Sequence, residues 1–135
     1  MSQENVDVVR ALIDRWNEGE RRLSAFQQGV DPEAELESPF SSVVGEPYRG
    51  YGGMERWLRD NDEQFAEWQI SIDEVRDVGD QVIVIAAVNA RGRESDVALQ
   101  FPTASVFRFG ADHRIMRARI YLQVEEALKA VGLEQ

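Results

Sequence analysis

Few side chains in this chain could do acid/base or nucleophilic chemistry. Its 135 residues include no cysteine and one histidine, His113. That histidine falls in a predicted turn beside Asp112, away from Ser38 and Ser105, the two serines that alternation points to one side of the sheet. A serine nucleophile needs a base within hydrogen-bond reach, so no Ser-His-Asp site is expected. Zinc sites usually draw on several His or Cys ligands, so no zinc site is expected. Carboxylates alone could still bind Mg²⁺ or Ca²⁺, but the sequence has no spaced Asp/Glu loop of the calcium-binding kind, and no metal is predicted.

Glu37 is the weak candidate for a catalytic acid. It lies in a predicted strand at 34–40, where alternation turns Ser38 inward and Glu37 outward. A slip of one residue in the strand register would exchange those faces and bring Glu37 into the interior. A carboxyl group buried among apolar side chains has a raised pKa and can transfer protons near neutrality. Without such a slip, Glu37 is a surface charge.

Several other polar side chains are candidates for binding rather than for proton transfer. Asn61 interrupts the apolar stripe of a predicted helix, and a buried amide needs a partner such as a ligand or a water molecule. Ser38 and Ser105 could bind a ligand's carbonyl or hydroxyl group, or simply hydrogen-bond to the main chain. Tyr48 and Arg49 fall in a loop predicted at 41–50, which could rim a pocket or be solvated.

Hydrophobic periodicity predicts the elements that position these residues. Apolar residues at spacings of three and four indicate helices, and alternation indicates strands. Pro102 cannot donate a hydrogen bond to a sheet, so a bulge or bend is expected beside it. Helices followed by a meander of antiparallel strands indicate an α+β domain. The predicted helices span 3–18, 21–28, 53–67 and 124–131, and the predicted strands span 34–40, 69–78, 81–91, 96–109 and 113–122.

Composition narrows the classes of partner. The net charge of −10 disfavours nucleic acid, and the hydrophobic content of 43% is that of an ordinary globular domain. The longest apolar run, at 82–88, is too short to cross a bilayer. The N-terminus lacks the basic and apolar regions of a signal peptide. We therefore expect one cytoplasmic domain with no membrane or nucleic-acid partner.

A set of short motifs, in this order, resembles the nuclear transport factor 2-like superfamily, in its SnoaL-like branch. They are Trp-Asn-Glu-Gly-Glu at 16–20, Leu-Glu-Ser-Pro at 36–39, Tyr-Arg-Gly at 48–50, Val-Phe-Arg-Phe at 106–109 and Arg-Ile-Tyr-Leu at 119–122. The resemblance covers nearly the whole chain, so it implies a single domain over 1–135. It implies a cone-shaped, cystatin-like fold in which a curved mixed or antiparallel sheet wraps around three helices. Family members hold an apolar pocket at one end and often dimerise through the outer sheet face.

The known chemistries of the superfamily do not carry over to this chain. The three catalytic roles of ketosteroid isomerases align to Leu12, Ser38 and Ser105, and none of these can play its part. The acidic residue of polyketide cyclases aligns within 118–120, where the sequence is Ala-Arg-Ile. Epoxide-hydrolase relatives need an Arg and two Asp residues in the pocket, but Arg91 and Asp96 lie near a hairpin end. Isomerase, cyclase or lyase chemistry on a small apolar molecule stays open, and so does non-catalytic ligand binding or dimerisation.

The resemblance and the alternation together assign residues to two surfaces. No cofactor is implied. An apolar pocket is expected to be lined by Trp16, Ser38, Tyr48, Trp57, Asn61, Phe101, Ser105 and Ile120. The aromatic members of that set could equally be plain core. On the outer sheet face, solvated arginines or a homodimer interface are expected at Arg108, Arg117, Arg119 and Tyr121.

Overall fold

The computed structural model describes residues 3–38 and 47–132, which form four helices and six strands. The helices are α1 (Gln3–Asn17), α2 (Leu23–Phe26), α3 (Gly50–Gln64) and α4 (Val124–Ala130). The strands are β1 (Val30–Glu37), β2 (Tyr48–Arg49), β3 (Phe65–Val78), β4 (Gln81–Gly92), β5 (Ala98–Phe109) and β6 (Ile115–Tyr121).

The strands form one mixed sheet in the order β2-β1-β6-β5-β4-β3. Strands β3 to β6 pair antiparallel with their sequence neighbours, as the meander predicts. Strand β1 returns beside β6 in parallel, and β2 pairs antiparallel with the free side of β1. The fold class predicted from the sequence, α+β with a mixed sheet, is therefore confirmed.

Both faces of β4 are covered by helices, because this strand is apolar on both sides. Its even-numbered residues Val82, Val84, Ala86 and Val88 pack in the same clusters as buried residues of α1 and α2. On the opposite face, Ile83 of β4 packs against α4. Helices α1 to α3 thus lie on the inner face of the sheet, and α4 alone lies on the outer face.

The first strand differs from its prediction at both ends. It begins at Val30, four residues earlier than predicted, and runs through Asp31 and Pro32. Proline is tolerated because the β1–β6 register shifts between Val30 and Glu35, so that no regular ladder bond is required of Pro32. Residues 39 and 40, the expected end of this strand, lie outside the described residues, as do residues 41–46 of the expected loop. At 48–49 that loop instead forms β2.

The expected bulge at Pro102 is also wrong. Pro102 pairs with Ala87 in an uninterrupted β4–β5 register. The pairing of β5 with β6 begins only at Ala104, so Pro102 lies beyond the end of β6, where no donor is needed. Register shifts occur instead within β3, and between Arg108 and Phe109 of β5.

Helix α3 starts three residues earlier than predicted, and β3 therefore starts earlier as well. The helix begins at Gly50, whose φ of 67° is a left-handed conformation that glycine adopts readily. Within its first turn, a Cβ on Gly53 would lie 3.0 Å from the carbonyl carbon of Tyr48. The absence of a side chain there lets α3 pack closely on β2. The earlier start of β3 places Phe65 and Trp68 in the sheet.

The packing of α4 on the outer face gives a testable prediction. Leu128 is 1% exposed and packs on β4 and β5. Truncation with Leu128→Ala leaves a cavity beneath a short helix, so we expect it to lower the free energy of unfolding by about 2–4 kcal/mol. Urea denaturation followed by circular dichroism measures the change. The neighbouring exposed substitution Lys129→Ala is the control, and an equal effect of the two would contradict this packing.

Candidate functional site

A cavity of about 160 Å³ lies between the inner sheet face and helices α1 to α3. Its walls come from both halves of the sheet, with Ala34 of β1 on one side and Ile70 of β3 on the other. The sheet must therefore curve around it. Most of the lining is aliphatic or aromatic, and the polar exceptions are Glu35, Ser38, Tyr48, Asn61, Thr103 and Ser105.

All three tryptophans of the chain line this cavity. The rings of Trp16 and Trp57 lie 5.3 Å apart at an angle of 30°. The indole N–H of Trp16 donates to the main-chain carbonyl of Trp68 at 3.0 Å, which fixes α1 against β3. The guanidinium of Arg21 lies over the Trp16 ring at 4.9 Å, and burial lowers the pKa of Arg21 from its ordinary value. One end of the cavity is thus a rigid aromatic wall.

Helix α3 contributes two polar groups without partners. Asn61 is 2% exposed, and its Oδ1 accepts no hydrogen bond from any residue within 3–38 and 47–132. The buried Nε1–H of Trp57 likewise donates to no residue of those ranges. Both residues line the cavity. A buried polar group left without a partner costs about 1–3 kcal/mol, so these two groups are unusual features of the apolar wall.

Hydroxyl groups supply the rest of the polar lining. Ser38 and Thr103 are 6% and 4% exposed, and Ser105 is half-buried between them in the sheet. The Tyr48 hydroxyl donates to the Asp60 carboxylate on α3 at 2.7 Å. That bond directs the hydroxyl to α3 and leaves the tyrosine ring as part of the wall.

Glu37 lies on the outer face of the sheet and not in the cavity. Its carboxylate is 2.8 Å from Arg117 and 3.5 Å from Arg119, and this pairing raises the pKa of Arg117. The register slip that would bury Glu37 does not occur, because β1 pairs with β6 so that Ser38 faces inward. Glu35 borders the cavity, but its carboxylate is 3.4 Å from the Arg49 guanidinium. The lining described by the structure therefore contains no unpaired carboxylate.

Seven of the eight pocket residues predicted from the sequence border the cavity: Trp16, Ser38, Tyr48, Trp57, Asn61, Ser105 and Ile120. The eighth, Phe101, lies on the same face but beyond the cavity, where it packs edge-on against Trp68 at 5.6 Å. Sequence reasoning missed Trp68 and Thr103. Two-residue alternation back from Ser105 would have found Thr103, but the expected bulge at Pro102 obscured it.

His113 takes no part in the cavity. It adopts a left-handed conformation with φ of 60° in the β5–β6 turn. Its Nδ1 lies 2.9 Å from the Asn5 side chain, and its Nε2 lies 3.4 Å from Glu4. The contacts tie that turn to the start of α1. Among the described residues, no group of His, Asp and Glu side chains is arranged to hold a metal ion.

The outer-face residues predicted for an interface divide into two groups. Arg108, Arg117 and Arg119 are exposed. Tyr121 is 9% exposed, because it packs in the cluster beneath α4 and the Arg119 guanidinium lies 4.7 Å from its ring.

No helix in the described part of the chain is long and apolar enough to span a membrane.

Comparison with known families identifies the domain. A family model described as the SnoaL-like domain matches residues 9–118, which include both walls of the cavity. The chain belongs to the SnoaL-like domain family. No protein among those with curated descriptions matches this SnoaL-like chain in sequence.

Solved structures share the fold of this SnoaL-like domain at low sequence identity. An NTF2-like protein of unknown function from Burkholderia pseudomallei K96243 is 17% identical, with a TM-score of 0.79 over 98% of this chain and 99% of that one. TerC, co-crystallised with polyporic acid, is 14% identical, with a TM-score of 0.77 over 96% and 98%. A protein with a ketosteroid isomerase-like fold from Catenulispora acidiphila DSM 44928, in complex with trimethylamine, is 17% identical, with a TM-score of 0.72 over 93% and 92%.

The unpartnered amide of Asn61 predicts an unusual response to mutation. We expect Asn61→Leu, which replaces the amide by an apolar group of similar shape, to raise the free energy of unfolding by about 1 kcal/mol. Asn17→Leu is the matched control, since the Asn17 amide exchanges two hydrogen bonds of 2.8 Å with the main chain of Ile70. We expect Asn17→Leu to lower the free energy of unfolding by about 1–3 kcal/mol. Urea denaturation of the ligand-free proteins measures both, and destabilisation by Asn61→Leu would show that the amide is satisfied.

Proposed function

We propose that this SnoaL-like domain binds a small, mainly apolar molecule in the cavity between its sheet and helices. The observation that carries the proposal is the lining itself, in which aliphatic side chains and three tryptophans line a concave space. Ligand sites are typically apolar concavities with a few placed polar groups. The polar residues of this lining are few and lie in or just after β1 and in β2, α3 and β5, which would give a ligand a defined orientation.

The volume of the cavity indicates the size of the ligand. At about 160 Å³ it is close to an engineered apolar cavity of about 150 Å³ in another protein, which binds benzene. A molecule of roughly six to eight non-hydrogen atoms is expected to fit. The related Catenulispora protein was crystallised with trimethylamine, so a protein of this fold can hold a ligand of that small class.

Binding is better supported than isomerase, cyclase or lyase chemistry. Acid/base catalysis needs a side chain whose pKa lies near the working pH. Among the described residues, the cavity offers hydroxyl, amide and indole groups, and the one bordering carboxylate, Glu35, is paired with Arg49. An unassisted serine such as Ser38 or Ser105 is a poor base. Glu37, the weak candidate acid, faces the other side of the sheet.

Two adjacent alanines of β4 allow a direct test with toluene as the probe. Ala86 lines the cavity, whereas Ala87 faces outward beside Pro102. The longer leucine side chain of Ala86→Leu would occupy the cavity, so we expect toluene to bind it about tenfold more weakly or not at all. Ala87→Leu should bind toluene as the wild type does. Calorimetry gives the affinities, and quenching of the three cavity tryptophans gives an independent signal.

Failure of the wild-type protein to bind toluene would reject the proposal. Equal loss of affinity in Ala86→Leu and Ala87→Leu would place the binding site elsewhere. Thermal unfolding checks that each variant is folded. If Ala86→Leu is not, Ala118→Leu fills the cavity from the β6 side and replaces it.

A homodimer through the outer sheet face is proposed as the assembly, on the resemblance to the family and on the charges of that face. Arg108 and Arg117 are directly opposed across β5 and β6, an arrangement of like charges that destabilises a sheet. Asp80 lies 3.6 Å from Arg108, and Glu37 lies 2.8 Å from Arg117. In a chain of net charge −10, carboxylates of a second copy would further offset this local positive charge.

The cytoplasmic location stays a prediction from the sequence.

Sedimentation velocity tests the dimer. We expect the wild type to sediment as a dimer at micromolar concentration, and Arg108→Glu to shift it toward monomer because the substitution reverses an exposed charge on the outer face. Arg59→Glu changes an exposed residue of α3 on the opposite side and serves as the control. A wild-type protein that stays monomeric would contradict the proposal, as would equal behaviour of the two variants.

A further inference from the structure

Trp57 and Asn61 are one helical turn apart on α3, so their side chains are neighbours on the same face. Both border the cavity, and both bring a buried polar atom without a partner among residues 3–38 and 47–132. The indole N–H of Trp57 can only donate a hydrogen bond. Oδ1 of Asn61 can only accept one. The helix therefore presents a donor and an acceptor together at the cavity wall.

The contrast with Trp16 shows that this arrangement is local to α3. Trp16 lines the same cavity, and its ring stacks on Trp57, yet its indole N–H is bonded to the Trp68 carbonyl. The Asn17 amide, on α1, is likewise fully used by the main chain of Ile70. The fold thus satisfies comparable groups nearby and leaves Trp57 and Asn61 available to a ligand.

A single hydroxyl group on a ligand could provide the hydrogen-bond partner of both side chains. Its oxygen can accept the hydrogen bond from Trp57 while its O–H donates to Asn61. A carbonyl oxygen could accept from Trp57, but it could not donate to Oδ1 of Asn61. A purely apolar ligand would leave both groups buried without partners.

The charges around the cavity favour a neutral ligand. The lining residues within 3–38 and 47–132 include no Lys or Arg, so a bound carboxylate would lack a counterion among them. A cation could be held by the faces of aromatic rings. However, the Trp16 ring already contacts Trp57 and the Arg21 guanidinium, and the charge of that guanidinium would repel a second cation.

We propose that the ligand of this cavity is a small alcohol or phenol, whose hydroxyl group accepts a hydrogen bond from Trp57 and donates one to Asn61. This rests on the proposed function, since it names the class of molecule bound at the same site. Met54, which lies on the same face of α3 and borders the cavity, supplies only apolar contact and offers a control position.

Phenol and toluene test the proposal, because they have nearly the same shape and differ by a hydroxyl in place of a methyl group. Phenol, with a pKa near that of tyrosine at about 10, is neutral at pH 7. The measured quantity is the toluene-to-phenol ratio of Kd from calorimetry. We expect Asn61→Leu and Trp57→Phe each to lower this ratio by roughly tenfold relative to the wild type. Met54→Leu should leave it unchanged.

An NMR signal provides a readout that general changes in packing would not give. In a ¹⁵N-labelled protein, the resonance of the Trp57 indole N–H is identified by its absence in Trp57→Phe. Phenol should shift that resonance downfield as the hydrogen bond forms, and toluene should not. An equal shift with both probes would overturn the proposal.

The remaining outcomes separate this inference from the proposed function. If toluene binds but the Kd ratio changes by less than roughly threefold in both variants, the cavity is a binding site without hydroxyl recognition, and the inference is wrong. Tetramethylammonium or benzoate binding more tightly than phenol would overturn it in favour of a charged ligand. If neither toluene nor phenol binds the wild type, the proposed function itself fails.

Discussion

The two-sided burial of β4 is the constraint on which the rest of the structure depends. A strand that is apolar on both faces is stable only when both faces are covered. Helices α1 to α3 cover the inner face, and α4 covers the outer one through Ala127 and Leu128. The inner face is wide and curved, and three helices do not fill it. The cavity is the space that remains between them.

The polar groups without partners in that space lower the stability of the folded protein, and packing of the core does not require them. Core positions of comparable burial, such as Val84 and Ile83, are aliphatic. The buried amide of Asn61 and the indole N–H of Trp57 break that rule on a helix that could have carried two apolar residues there. Local conflicts of this kind are concentrated at functional sites, where a ligand supplies the partner that the protein lacks. Their occurrence together on the wall of one cavity is more informative than either alone.

Most of the fold and much of the cavity wall were predictable from the sequence, because both depend on local periodicity. Alternation alone was enough to assign Ser38 to the inner face of the sheet and Glu37 to the outer face. Helical spacing placed Trp57 and Asn61 on one face of their helix. Trp68 was beyond that reasoning. Its position depends on where β3 begins, which is determined by the start of α3 at Gly50 and not by the strand's own pattern.

Features that depend on long-range packing were not predictable either. Helix α4 is short, and its apolar residues do not reveal which face of the sheet it covers. Once it lies on the outer face, Tyr121 is buried beneath it and cannot take the exposed position that alternation suggests. Likewise, Pro102 is tolerated without a bulge because β6 ends before reaching it, a fact about the neighbouring strand.

The geometry of the site and its chemistry can be separated in this chain. The positions that align with the catalytic roles of ketosteroid isomerases are Leu12, Ser38 and Ser105, and all three border the cavity. The fold therefore directs these positions to the same interior space, while the residue types there cannot ionise near neutrality. What remains in the described lining is a set of groups that can hold a ligand by shape and neutral hydrogen bonds. Such a lining fits the proposed ligand, because the hydroxyl group of an alcohol can donate and accept a hydrogen bond at once.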